Sequence, residues 1–459
     1  MDNKIITVNK ILEICNGELI IGNKNLEIDS YSKDSRNIKK GDMYLGIKGE
    51  RVNGNDYIVD AFEKGAIACI TDENIKSEIL NKYSDKTIIK VENTIKAIQE
   101  LAKYKRSLYN IPVIAVTGSV GKTSTKDIIA NVLAQKFKVL KTEGNLNNHI
   151  GLPLTLLKLK DHTAIVVEMG MNHFGEISLL TDIAKPTGCV ITNIGTSHIG
   201  NLGSRENILK AKLEILEGLR DGGFVLINND NDLLNKWALE QNKYKIYTYG
   251  IENKSTYMAK NINILENSSN FEMNEIKTRV PVGGIHFVYN AICAFGIGSI
   301  LNIEKEKIIK GISEFKLTAK RMDIEIIKED IKVINDSYNA SYDSMKAALE
   351  VMKNTEATRK IAVLGDMLEL GEYAKELHEK VGEEVVKNNI DILITIGKNA
   401  ENIFNKAKNL GMKETYSFNN KEDAIEFIKK IIRSKDLILL KASNSMNFTN
   451  ILNELKNDN

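Results

Sequence analysis

Charge of one sign is missing from this chain. Its 63 basic residues are matched by 61 acidic ones, leaving a net charge of +2. That balance gives no electrostatic footing for nucleic acid or an anionic membrane surface. Cysteine is scarce too. Cys15, Cys69, Cys189 and Cys293 lie far apart, without the close pairing of a metal site. They read as buried free thiols, consistent with a reducing compartment. No apolar run approaches the roughly 18 residues of a membrane span. The opening Met1-Asp2-Asn3-Lys4-Ile5-Ile6-Thr7 lacks the apolar core of a secretory signal. The expected location is therefore the cytoplasm. No internal repeat and no low-complexity linker interrupts the chain.

What is present is an ordinary globular composition, 42% hydrophobic and 27% charged, over 459 residues. That length is too great for one core and predicts two or three domains. Three blocks emerge. Residues 1–108 carry short alternating strands and two helical stretches, the second at 94–108. Residues 109–315 alternate apolar strand candidates (164–167, 190–194, 224–227) with helical patterns, which predicts a mainly parallel sheet. Within this block 251–285 has weaker helix signals and reads as antiparallel. Residues 316–459 alternate again, with strands expected at 333–334, 361–364, 392–396 and 437–440, the pattern of a Rossmann-like doubly wound α/β domain. The expected fold class is thus α/β in three units.

The most informative segment is Thr117-Gly118-Ser119-Val120-Gly121-Lys122-Thr123-Ser124-Thr125. It follows the apolar run 113–116 and precedes a helical pattern with Ile128, Ile129, Val132 and Leu133 on one side. Strand, glycine-rich turn and helix N-terminus together make a phosphate cradle. Lys122 can reach the terminal phosphates and the Thr123 hydroxyl can bind Mg²⁺. A nucleoside triphosphate is the leading ligand. Only Ser119 and Val120 separate the two glycines, where the general P-loop has four residues, so a plain strand–helix turn is the alternative.

Polar residues stand just past several strand ends: Glu168, His198, Asp336 and Asp366. Ligands of open α/β sheets bind there. Glu168, in the same unit as the P-loop, suits Mg²⁺ or a helix cap. Lys212 falls in the middle of an apolar arc formed by Ile208, Ile215, Leu216 and Leu219 on a helix expected over 204–219. A free ammonium there is costly. Either the side chain snorkels to the surface, or it is modified to a carbamate and becomes an anionic metal ligand. Asp336 could accept hydrogen bonds from ribose hydroxyls. Arg321, near the boundary of the second and third blocks, could reach a phosphate across a cleft.

Taken together, these segments resemble the ATP-dependent Mur ligases of peptidoglycan synthesis over nearly the whole chain. The resemblance rests on Asp34-Ser35-Arg36, Gly41-Asp42 and Gly49-Glu50-Arg51, and on the short-spaced P-loop. It continues through Asn145–Asn148 with Ile150–Pro153, Glu168-Met169-Gly170-Met171, His198 and Ala211–Ile215. His286, Asn290 and Ala291 match the stretch near the nucleotide. Asp336–Ala340 and Gly365–Glu372 are most similar to the branch that joins D-Ala-D-Ala to a UDP-N-acetylmuramoyl-tripeptide.

The resemblance implies a UDP-substrate-binding domain (1–108), a central ATP-binding domain (109–315) and a C-terminal ligase domain (316–459). It implies ATP, two Mg²⁺ ions and an acyl-phosphate intermediate. Gly118, Ser119, Val120, Gly121, Lys122, Thr123, Ser124, Asn290, Arg321 and Asp336 would bind ATP. Lys122, His198 and Lys212 would be catalytic. Thr123 and Glu168 would hold one ion; His198 and a carbamylated Lys212 would hold the other. Ser35 and Arg36 would bind the UDP-linked substrate, and Tyr338 and Asn339 the amine acceptor. No nucleic-acid partner is implied, and a monomer is expected.

The chain departs from the family at its substrate-facing ends. Asn53-Gly54-Asn55 replaces Asp-Gly-His, Asn335-Asp336 replaces Asp-Asp, Ser341-Tyr342 replaces Asn-Pro, and Lys441-Ala442-Ser443-Asn444 replaces Lys-Gly-Ser-Arg. A divergent relative with another amine acceptor therefore stays open. A folylpolyglutamate-synthase-like ligase would not need the first block. A nucleotide-binding regulator would not need Lys122, Glu168, His198 and Lys212 together.

Overall fold

The computed structural model describes residues 4–317, 321–328 and 330–457. Three main sheets organise them. The first runs, in spatial order, Glu18–Ile21, Thr87–Lys90, Ala68–Thr71, Met43–Leu45 and Tyr31–Ser32. Only its Glu18–Ile21 edge is antiparallel. Among the described residues of this block there are four α-helices, Val8–Cys15, Ile58–Glu63, Ser77–Lys82 and Thr94–Ser107, where two stretches were expected. Ile58–Glu63 and Ser77–Lys82 have six residues each, too few to reveal a helical period in sequence.

The central sheet has nine strands in the order Ile276–Val280, Ser268–Met273, Tyr257–Leu265, Lys245–Gly250, Phe224–Asn228, Gly188–Ile191, Val113–Thr117, Ala164–Glu168 and Val139–Lys141. From Tyr257–Leu265 to Val139–Lys141 all neighbours are parallel. The first three strands form an antiparallel meander, the arrangement read from 251–285. The register sets Glu168 beside Val116 and Ile191 beside Thr117, so three strand ends meet at one point. The strand expected over 190–194 is shifted to Gly188–Ile191. Thr192 and Asn193 leave the ladder because their polar groups bond to the glycine-rich turn instead.

The third sheet runs Asp323–Ile327, Ile331–Asn335, Asp436–Lys441, Arg359–Gly365, Ile392–Ile396 and Thr415–Phe418. It is parallel except for its first strand. All four strands expected in this block are present, each within an element of five to seven residues. Asp336, Asp366 and Lys441 stand at or just past their carboxyl ends.

The first two units are locked together. Helix Thr94–Ser107 packs against Val8–Cys15 on one side and Gly151–Leu157 and Glu176–Ala184 on the other. Arg106 on it is fully buried. Its guanidinium donates to the carbonyls of Ala184 (2.9 Å), Tyr109 (2.6 Å) and Lys185 (3.2 Å). Three of the four cysteines are buried and Cys15 is half-buried, all free.

Candidate active site

The site grows from the turn between strand Val113–Thr117 and helix Lys122–Ala134. Gly118 has φ +149°, and a Cβ there would stand 1.9 Å from Thr192 Oγ1, so no other residue fits. Gly121, at φ +82°, caps the helix. Asn193 fixes the turn. Its side-chain oxygen accepts from the N–H groups of Ser119 (3.1 Å) and Val120 (2.9 Å), and its Nδ2 donates to Val120 O (3.1 Å). The first-turn amides of Lys122, Thr123 and Ser124 have no acceptor within the helix and point outward from its N-terminus, a ready anion site.

Lys122 lies half-buried with its Nζ donating to Gly118 O (2.9 Å) and Ser119 O (3.4 Å). Burial lowers its pKa from the usual lysine value; Glu168 opposes the fall and Arg321 adds to it. Thr123 Oγ1 donates to Glu168 Oε2 at 2.8 Å, and Glu168 Oε1 accepts from Asn147 Nδ2 at 2.7 Å. Thr123 and Glu168 are both almost fully buried. A hydroxyl and a carboxylate joined in this way are hard oxygen donors. They fit Mg²⁺, which keeps water and phosphate oxygens around one or two protein ligands.

Lys212 is 1% exposed, which removes the snorkelling alternative. Its helix is shorter than expected: Arg205–Leu213, followed by a 3-10 turn at Glu214–Leu216. Burial and the nearby charge of Lys122 push its pKa well below the ordinary value. An ammonium repels a cation, so Lys212 suits a metal only after conversion to a carbamate. His198 begins the short helix Ile199–Leu202, and its Nδ1 lies 2.6 Å from Glu369 Oε2. Among the described residues no three His, Cys, Asp or Glu side chains gather as a preformed metal cluster.

Residues of the third unit close over the P-loop. A cavity of about 540 Å³ is lined by Ser119–Ser124, Asn193, Asn290, Arg321, Asp336, Tyr338, Asn339, Asp343, Lys346 and Lys441. Asn290 accepts from Thr125 Oγ1 at 2.9 Å. The Arg321 guanidinium lies 3.9 Å from the centre of the Tyr338 ring. Asp336 is bound by the buried Lys441 ammonium through Oδ2, and its Oδ1 accepts from Met322 N–H at 3.1 Å. Beside this pair, His286 has its pKa lowered to about 4 by burial; Asp336 opposes and Lys441 assists the shift.

Ser35 and Arg36 are not among the cavity's lining residues. They form the 3-10 turn Ser35–Asn37 of the first unit, with Arg36 paired to Asp34 at 2.8–2.9 Å. Sequence reasoning missed Asn193, Asp343 and Lys346. Asn193 stands just past a strand end, the signal that drew attention to Glu168 and His198. Asp343 had only its position in the first turn of a helix.

Comparison with known proteins agrees with this geometry. Residues 27–106 match the model described as Mur ligase family, catalytic domain; 116–298 match the Mur ligase middle domain; 320–444 match the Mur ligase, glutamate ligase domain. The chain is 38% identical over 461 residues to the UDP-N-acetylmuramoyl-tripeptide–D-alanyl-D-alanine ligase of Bacillus subtilis, covering 98% of both chains. It is 29% identical to the ligase of the same name from Escherichia coli, again over 98% of both. Among solved structures, MurF from Acinetobacter baumannii superimposes with a TM-score of 0.88 at 27% identity, covering 99% of this chain and 100% of that one. MurF ligase from Thermotoga maritima in complex with ADP superimposes at 0.79 with 27% identity, covering 93% and 97%.

Proposed function

The chain belongs to the Mur ligase family, and on that premise we propose that it joins D-Ala-D-Ala to a UDP-N-acetylmuramoyl-tripeptide at the expense of ATP, a step of peptidoglycan synthesis. The observation that carries the reading is the cavity lined together by the P-loop residues Ser119–Ser124 and the C-terminal residues Arg321, Asp336 and Lys441, with Thr123 in its wall bonded to Glu168. In the first step a terminal carboxylate oxygen of the tripeptide attacks the γ-phosphorus, the bond to the ADP oxygen breaks, and an acyl phosphate forms. In the second the acceptor ammonium gives up one proton, the neutral amine attacks the acyl carbon, phosphate leaves with the bonding electrons, and the nitrogen sheds a second proton to leave the amide.

The residues have distinct tasks in this reading. Gly118–Ser124 hold the triphosphate with backbone N–H groups, and Lys122 exchanges its carbonyl partners for phosphate oxygens. That exchange sets a positive charge where two anions must meet. Thr123 and Glu168 hold one Mg²⁺. His198 and Lys212, the latter once converted to a carbamate, would hold a second. Bound Mg²⁺ offsets negative charge on the phosphoryl group. Arg321, stacked on Tyr338, adds a planar cation from the opposite wall. Asn290 and Asp336 contribute to nucleotide binding, Ser35 and Arg36 to the UDP moiety, and Tyr338 and Asn339 to the acceptor. We take 1–108, 109–315 and 316–459 as the substrate, ATP and ligase units. No helix among the described residues is long and apolar enough to cross a membrane, and substrates linked to a nucleotide suit a cytoplasmic enzyme acting as a monomer.

The test is direct. The chain is supplied with ATP, Mg²⁺, UDP-N-acetylmuramoyl-tripeptide and a panel of amines, and products are read by mass. Amide formation with D-Ala-D-Ala, with the highest kcat/KM of the panel, is expected. A clear preference for D-Ala-D-Lac, a single amino acid or another amine would assign the altered Ser341-Tyr342 and Ala442-Ser443-Asn444 segments to a different acceptor. Phosphate release with no ligated product under any acceptor would refute the ligase reading.

A further inference from the structure

Glu369 has no part in the scheme above, yet it meets a residue that does. It lies beyond strand Arg359–Gly365, in the polar run of the C-terminal unit. Its Oε2 is 2.6 Å from His198 Nδ1, and its backbone carbonyl accepts from Gly200 N–H at 3.1 Å. Both partners hold left-handed backbone, φ +62° at Glu369 and +64° at His198. For residues other than glycine that conformation is strained and persists where the surroundings enforce it. The contact is backbone against backbone: a Cβ on Gly200 would stand 2.5 Å from Gly371 N and 2.6 Å from Glu369 O.

The same loop is gripped at two further points from the same side. Tyr373 Oη donates to Gly203 O at 2.6 Å. Asp343 Oδ2 accepts from Thr196, and a Cβ on Gly195 would stand 2.2 Å from that oxygen. The loop 195–203 follows a strand of the central sheet and is held from both sides: Gly195 N–H donates to Ser119 Oγ (2.9 Å) and Ser197 Oγ to Ser119 O (3.3 Å) within its own unit, while the His198 end meets the C-terminal unit. A carboxylate can only accept, so the ring nitrogen facing Glu369 carries the proton. In the neutral imidazole this tautomer leaves Nε2 as the acceptor.

We propose that Glu369 is a positioning residue for His198: docking of the C-terminal unit fixes the imidazole in one tautomer and orientation, and undocking releases it. The inference rests on the reading of His198 as a working residue of the ligase site. It makes the central unit alone an incomplete catalyst, because one of its own side chains is oriented from outside it.

The test uses the full chain, after amide formation by the wild type has been measured. Glu369→Ala should lower kcat by roughly 10–100-fold while KM for ATP stays within about twofold. Glu369→Gln, whose carbonyl oxygen still accepts from Nδ1, should keep most of the activity. In a His198→Ala background Glu369→Ala should cause no additional loss. Nitrogen NMR of ¹⁵N-histidine-labelled protein, assigned with His198→Ala, should show the Nδ1–H tautomer in the wild type and a mixture in Glu369→Ala. Wild-type kcat in Glu369→Ala would overturn the proposal. So would multiplicative losses in the double variant, or equal losses in the Ala and Gln variants accompanied by a fall in Tm. If the wild type forms no amide, the functional reading fails by itself, and the imidazole spectrum alone then decides whether Glu369 orients His198.

Discussion

Asp343 Oδ2 accepts from both the backbone N–H (3.0 Å) and the hydroxyl (3.2 Å) of Thr196, tying the first turn of helix Tyr342–Asn354 to the loop that leaves the central sheet. Arg321 and Asp336 share a cavity with the P-loop in the same arrangement, so the structure is that of a docked C-terminal unit. The boundary between the second and third blocks, at 315/316, borders residues 318–320, which lie outside the described ones. Hydrogen bonds to a charged group contribute roughly 1.5–3 kcal/mol. Asp343→Ala should therefore shift the molecule toward undocked forms, seen as a larger radius of gyration by small-angle scattering. Saturating nucleotide and UDP-substrate should bring it back toward the wild-type value. Curves identical to the wild type without ligands would mean that docking does not depend on this contact.

Lys122→Ala removes the one cation held inside the glycine-rich turn. Phosphate release stimulated by substrate should fall by roughly 10²–10³-fold, the scale for losing one preorganised electrostatic partner. The fold should survive, since the Lys122 ammonium bonds only to two turn carbonyls. Near-normal turnover in a folded variant would rule out the phosphate-binding assignment.

Lys212→Ala should be nearly inactive, with partial rescue by acetate or another short carboxylate that can occupy the space of a carbamate. The chemical check is independent of activity: protein equilibrated with ¹³C-bicarbonate should give a carbamate carbon signal that Lys212→Ala lacks. Identical spectra from the two proteins would mean that the lysine is unmodified, and that its burial has another cause.

His286 gives the chain a pH dependence with a definite sign. Its folded pKa of about 4 lies below the usual 6.5, so the fold favours neutral imidazole. As pH falls through 6.5 the unfolded chain binds this proton first, and folding loses stability until pH reaches about 4. His286→Gln should show a shallower decline of unfolding free energy between those limits in denaturant titrations. Parallel wild-type and variant profiles would show that His286 titrates normally.

The P-loop was legible because its residues are contiguous and their chemistry is local. Glu168 could be read because a carboxylate at the end of an apolar run has a known place in parallel sheets. Lys212 was half-legible: its central position on the apolar face was clear from spacing, but only packing could decide against snorkelling. Asn193 was not legible, since its role depends on Gly188–Ile191 pairing with Val113–Thr117, whose paired residues are about 75 positions apart in sequence. Glu369 could be placed in a polar run after a strand, but its partner comes from another unit, 171 positions away. Ser35 and Arg36 were read from resemblance, and they lie in a 3-10 turn of the first unit, not among the residues lining the P-loop cavity.

The buried guanidinium of Arg106 has a practical consequence for anyone dissecting the chain. The boundary read near residue 108 is an edge in the sequence pattern but not a line along which the molecule can be cut. A fragment ending there would keep the arginine and leave all three of its carbonyl acceptors, those of Tyr109, Ala184 and Lys185, on the discarded piece. The guanidinium would then face water, and the surface of helix Thr94–Ser107 that packs on Gly151–Leu157 and Glu176–Ala184 would be laid bare, an exposed apolar patch prone to aggregation. The first two units are therefore best kept together as one body in any truncation.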